Sequence, residues 1–100
     1  MSWTFEAEVW RHDGSSAAWY FLTLPFDVAD EVEERASGAE RGFGSVRVEV
    51  TIGSTTWSTS VFPDKARQSY VLPVKKAVRQ AEDLDDGSPV TVDLRLVEPV

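Results

Sequence analysis

Three stretches of this chain place an apolar residue at every second position, and that period of two constrains the fold more than any other feature. Val46, Val48, Val50 and Ile52 alternate with Arg47, Glu49 and Thr51. Val90, Val92, Leu94 and Leu96 alternate with Thr91, Asp93 and Arg95, and Trp3, Phe5, Ala7 and Val9 with Thr4, Glu6 and Glu8. Successive side chains of a strand point to opposite faces, so each stretch reads as a strand with one face on a core and one in solvent. Between them lie turn signals. His12-Asp13-Gly14-Ser15-Ser16 precedes the aromatic and aliphatic run Ala18 to Leu24, and Gly53-Ser54 precedes the β-rich stretch Thr55 to Phe62. Each turn predicts a hairpin, the first joining Trp3–Trp10 to Ala18–Leu24 and the second joining Val46–Ile52 to Thr55–Phe62.

Two segments change period. After Pro25, Val28, Ala29, Val32 and Ala36 recur three and four apart among Asp27, Asp30, Glu31, Glu33 and Glu34, the pattern of an amphipathic helix. Pro25 suits its first turn, the early acids suit the positive helix start, and Gly38 suits its left-handed end. After Ser69 to Leu72, a short strand, Pro73 opens a second helix with Val74, Ala77, Val78 and Ala81 on its apolar face. Asp85-Asp86-Gly87-Ser88-Pro89 then supplies a turn. The order is ββαβ twice. Leu24-Pro25 and Leu72-Pro73, with Ala29 and Ala77 at the same offset, mark the repeat.

The expected fold is therefore mainly β, a closed double-split β-barrel with two short helices, built from two pseudo-symmetric halves of about residues 1–52 and 53–100 in a single domain. One hundred residues bury only about 60–68% of the unfolded surface, so almost every apolar stripe is needed for that one core.

Several function classes fall away. The chain has no cysteine, which removes disulfides, thiolate nucleophiles, Cys-based zinc and iron–sulfur clusters. Ser58, Thr59 and Ser60 offer hydroxyls, but the single histidine, His12, falls in a turn, so no Ser-His-Asp arrangement is expected. Glu6 with Glu8 reads as an outward strand face and Asp85-Asp86 as a turn, so no catalytic residue, metal or cofactor is assigned. The opening Met1-Ser2-Trp3-Thr4-Phe5-Glu6 carries neither a charged nor an apolar leader, and no window approaches a membrane span. A cytoplasmic, monomeric protein without membrane contact is the expectation.

Charge is distributed unevenly. Residues 1–40 hold two basic and nine acidic side chains, residues 41–80 seven and two, and residues 81–100 one and six. The basic middle could gather into a patch for an anion or an acidic protein partner. Within it, Lys75 and Arg79 stand four apart and Lys76 and Arg79 three apart, on one side of the second helix. Lys75 near that helix start, with Thr59 or Ser60 from the preceding hairpin, could complete an anion site. Arg41, Thr59, Ser60, Lys65, Lys75 and Arg79 are accordingly the candidate ligand-binding residues. Arg41-Gly42-Phe43-Gly44 lacks the Gly-Lys-Ser/Thr ending of a phosphate loop and reads as a bend into a strand. Trp3, Trp19 and Trp57 are expected in the core, and Trp10 at a barrel end or a ligand groove.

Arg41-Gly42-Phe43-Gly44, Thr59-Ser60-Val61-Phe62-Pro63 and Tyr70-Val71-Leu72-Pro73-Val74-Lys75 with Val78-Arg79 resemble a bacterial family called domain of unknown function 1905. The resemblance spans almost the whole chain. It implies a double-split β-barrel similar to the swapped-hairpin DNA-binding barrels of transition-state regulators and antitoxins. Leu72-Pro73 through Gly87 and Val90 looks like their strand, helix, Gly, strand pattern, although Ser88-Pro89 stands where they carry an Asp. Three function classes follow. The preferred one is a binding module for a small anion or a protein partner. A nucleic-acid-binding regulator rests on fold analogy and conflicts with a net charge of −7. A small enzyme using Lys75, Arg79 and a hydroxyl needs a concave polar pocket.

Overall fold

The alternating stretches become strands of one curled sheet. The structure, a computed structural model, describes residues 2–14, 16–36 and 44–97. The elements are β1 (Ser2–Glu8), β2 (Trp10–Asp13), β3 (Ala18–Thr23), α1 (Phe26–Ala36), β4 (Val46–Ile52), β5 (Thr55–Asp64), β6 (Ser69–Pro73), α2 (Lys76–Glu82) and β7 (Pro89–Leu96). All pairings are antiparallel, in the order β1-β7-β4-β5-β6-β3-β2. The sheet curls into a half-barrel. Its concave side takes Val46, Val48, Val50 and Ile52 from β4 and Val90, Val92 and Leu94 from β7, all buried. Val28, Ala29 and Val32 of α1 and Val78 of α2 join the same cluster.

The first expected hairpin forms differently. The chain from Ser2 to Asp13 does not run as one strand beside Ala18–Leu24: β1 pairs with β7, and only β2 pairs with β3. The break falls at Val9, whose N–H donates to the Ser88 carbonyl (2.9 Å) and whose own carbonyl accepts from the Gly87 N–H (2.7 Å). The turn before β7 thus satisfies the backbone where the strand leaves one neighbour for another. β5 makes the same transfer without a break, pairing with β4 through Val61 and with β6 from Phe62 onward. The second hairpin matches expectation, with Ile52 opposite Thr55 and Gly53 at φ +59°, the left-handed region open to glycine.

Around β3 and β6 the two strand-to-helix segments match in a different register from the Leu-Pro marker, while β4 and β7 do not follow that shift. Leu22 pairs with Leu72, the Leu24 N–H donates to Tyr70 O (3.0 Å), and the Val74 N–H donates to Tyr20 O (2.8 Å). The helices start at Phe26 and Lys76. Each pair is related by a shift of 50 residues (22 to 72, 24 to 74, 26 to 76), whereas Pro25 and Pro73 are 48 apart (73 minus 25). Pro73 accordingly ends β6 opposite Phe21 and does not open α2. Ala77 and Ala81, expected on the apolar face of α2, are exposed, while Val74 and Val78 are buried. Gly38, Gly42 and Phe43 lie outside the described residues. Among the described residues no helix is long and apolar enough to cross a membrane.

Candidate functional site

Three of the cations that the sequence singled out stand at the start of α2: Lys75 in the loop from β6, and Lys76 and Arg79 on the helix itself. Lys75 is the N-cap of α2, extended at φ −71° and ψ 161°, and makes no side-chain cap. Its carbonyl accepts from the Val78 and Arg79 N–H groups, both at 3.1 Å. The helix closes at Asp83, left-handed at φ 55°, with the Leu84 N–H on Arg79 O (2.8 Å). With seven residues, α2 is too short for its amides to form an anion site, so attraction must come from side chains.

Those side chains frame a cleft of about 520 Å³ between α2, the middle of β5 and the start of β3, lined by Trp19, Tyr20, Trp57, Thr59, Lys75 and Arg79 together with Lys76 and Ser58. Arg79 is fixed in place. Its guanidinium carbon sits 3.9 Å from the Tyr20 ring centroid, and Nη1 donates to the Val74 carbonyl at 2.7 Å. Stacking and a fork of donors tie α2 to β3 through a cation, a pairing lysine could not reproduce. Lys75 and Lys76 are exposed and, among the described residues, neither has a carboxylate within ion-pairing distance. Arg11, Arg67 and Arg95, by contrast, pair with Asp13, Asp64 and Glu49.

Three of the six candidate residues, Thr59, Lys75 and Arg79, therefore meet in one cleft. Ser60, the next residue of β5, is absent from its lining. Lys65 lines a separate depression of about 380 Å³ with Asp30, Glu33 and Asp64. Arg41 lies outside the described residues. The aromatic part of the cleft was not legible in the sequence. Trp57 is buried as expected, but Trp19 is 57% exposed. Its place in the alternation of β3, out of phase with buried Leu22, is the signal that could have found it.

The shift of 50 residues supplies an internal control. Lys75, Lys76 and Arg79 correspond to Pro25, Phe26 and Ala29 at the start of α1 (75, 76 and 79 minus 50). At these three positions the turn into α1 carries no cation, and the charge in its first turn is the acidic Asp27. What the fold requires at these positions does not account for three cations.

The cleft lining contains no carboxylate and no imidazole among the described residues. His12 sits on β2, outside the cleft. What the arrangement offers is positive charge, hydroxyls and ring faces.

Residues 5–94 match a protein-family model described as Domain of unknown function (DUF1905). No curated protein matches the chain.

Proposed function

The chain belongs to the family described as Domain of unknown function (DUF1905), and from the site geometry we propose that it is a binding module for a small anionic ligand, taken in the cleft at the start of α2. The observation that carries this reading is the meeting of Lys75, Lys76 and Arg79, none paired with a carboxylate among the described residues, at one cleft of a protein with net charge −7. Cations of a fold-required ion pair would face acids, and the corresponding positions of α1, Pro25, Phe26 and Ala29, carry no cation. In a cleft, charge of one sign raises the local concentration of its counter-ion. Lys75 and Lys76 supply mobile point charges, Arg79 a fixed one, and Thr59 a hydroxyl.

The reading takes residues 1–100 as one domain with halves near 1–52 and 53–100, whose curled sheet closes into a double-split barrel. Supporting that closure, β1 and β2 stand at opposite ends of the strand order yet are separated by Val9 alone. A duplex DNA reader fits less well, because 17 acidic side chains oppose 10 basic ones and phosphate contacts carry most such affinity.

Titration with inorganic pyrophosphate, followed by amide NMR shifts, tests the proposal. The expected result is a set of saturable shifts centred on Thr59, Lys75, Lys76 and Arg79, lost in Lys75→Gln/Lys76→Gln. Absence of shifts at millimolar pyrophosphate, or shifts centred elsewhere, overturns it.

A further inference from the structure

The cleft has a second property that anion binding alone leaves unused: an aromatic face open to solvent beside the ammonium groups of Lys75 and Lys76. The ring faces of Trp10 and Tyr20, on β2 and β3, are occupied. Trp10 stacks on Phe21 (centroids 4.9 Å apart, 33° between planes), lies under the Arg67 guanidinium (3.7 Å), and donates its Nε1–H to Thr23 Oγ1 (2.9 Å). Tyr20 is covered by Arg79. Trp19 is different: it is 57% exposed, and among the described residues no ring or cation stacks on it. Gly14 lies close against its indole. A Cβ on Gly14 would meet the Ala17 carbonyl oxygen at 2.8 Å and the Trp19 indole nitrogen at 3.4 Å, a space that glycine leaves free beside that indole. An indole held at a cleft wall with an uncovered face is a stacking platform.

We infer that the ligand is a nucleoside monophosphate, its base stacked on Trp19 and its phosphate held by Lys75 and Lys76. This rests on the anion-site reading above and adds the planar group. Arg79, committed to Tyr20 and to the Val74 carbonyl, contributes positive field from below. Ser58 and Thr59 give the β5 wall a hydrogen-bonding edge suited to a sugar. A cleft of about 520 Å³ falls within the roughly 300–1,000 Å³ of small-ligand sites. One such platform, in a protein of net charge −7, suits a single nucleotide and not a strand, which needs a continuous positive groove with successive rings.

Calorimetric and NMR titrations with adenosine 5′-monophosphate, ribose 5-phosphate and a short oligothymidylate strand test this. Adenosine 5′-monophosphate is expected to bind about tenfold more tightly than ribose 5-phosphate, the worth of one stacked base, and to shift the Trp19 indole N–H resonance. Trp19→Ala is expected to reduce its affinity to that of ribose 5-phosphate while leaving the latter unchanged; Trp19→Phe keeps most of the gain. Equal affinities for the two phosphates, with shifts at Lys75 and Lys76, overturn the nucleotide and leave the anion site standing. Binding of neither phosphate overturns both readings. Oligothymidylate bound without the mononucleotide overturns this inference in favour of single strands. Thermal melts of the two Trp19 variants at the wild-type temperature establish that the fold is intact.

Discussion

Leu22 and Leu72 lie directly opposite one another where β3 pairs with β6, both completely buried. They mark the centre of a local twofold arrangement: Phe21 faces Pro73 on one side of them and Thr23 faces Val71 on the other. The two flanking hydrogen bonds, Leu24 to Tyr70 and Val74 to Tyr20, exchange places under the same shift of 50 residues (24 to 74, 20 to 70).

Because both leucines fill one region of a close-packed interior, Leu22→Ala and Leu72→Ala are each expected to cost about 2–5 kcal/mol. In a domain stabilised by roughly 5–15 kcal/mol, either is a large loss. The double variant should be less destabilised than the sum of the two, since neighbouring side chains share one cavity. Urea unfolding of the three proteins measures the coupling; simple additivity would show that the two sites relax independently.

Gly53 and Gly87 both have positive φ, +59° and +87°, but different surroundings. A Cβ at Gly53 would overlap the Glu82 carboxylate, which accepts from Thr55 Oγ1 at 2.6 Å, whereas nothing lies within 4 Å of one at Gly87. Gly87→Ala should therefore cost only the backbone strain, about 1–2 kcal/mol, and Gly53→Ala more. Adding Glu82→Ala to Gly53→Ala should recover part of the difference. Thermal unfolding of this set checks it, with equal losses at the two glycines counting against the steric account.

Arg79 is a structural tie as well as a charge in the cleft. Arg79→Ala removes the Tyr20 stack and the bond to the Val74 carbonyl, and about 1–2 kcal/mol of stability is expected to go with them. Arg79→Lys keeps the charge but not the planar fork, so it should recover little of that loss. Denaturation midpoints of the two variants separate geometry from charge.

The exposed pair Glu49 and Arg95, facing each other across β4 and β7, should matter little. Glu49→Gln is expected to change stability by less than about 1 kcal/mol, and by less still in high salt. A loss well beyond that, persisting in molar salt, would mean that the pair does more than screen the sheet surface.

Local periodicity determined much of this protein without reference to anything distant. Val46 to Ile52 and Val90 to Leu96 declare one apolar face each, and both stretches are strands with that face buried. Val28, Ala29 and Val32 declare a helical stripe, and α1 buries it. Gly53-Ser54 specifies its hairpin because the left-handed turn is a local requirement. The i, i+4 spacing of Lys75 and Arg79 placed both at one cleft for the same reason. Alternation says which face of a strand is apolar but not which strand lies beside it; that is chosen by burial and by backbone hydrogen bonds between residues far apart in the chain. So only the tertiary structure decided that Val9 divides the first strand between β7 and β3. It also decided that β3 and β6 with their helices match at a shift of 50 residues and not at the 48 of the prolines, that Lys65 stands apart from Lys75, and that Trp19, expected in the core as a large aromatic of an apolar run, opens onto the cleft with Lys75 and Lys76.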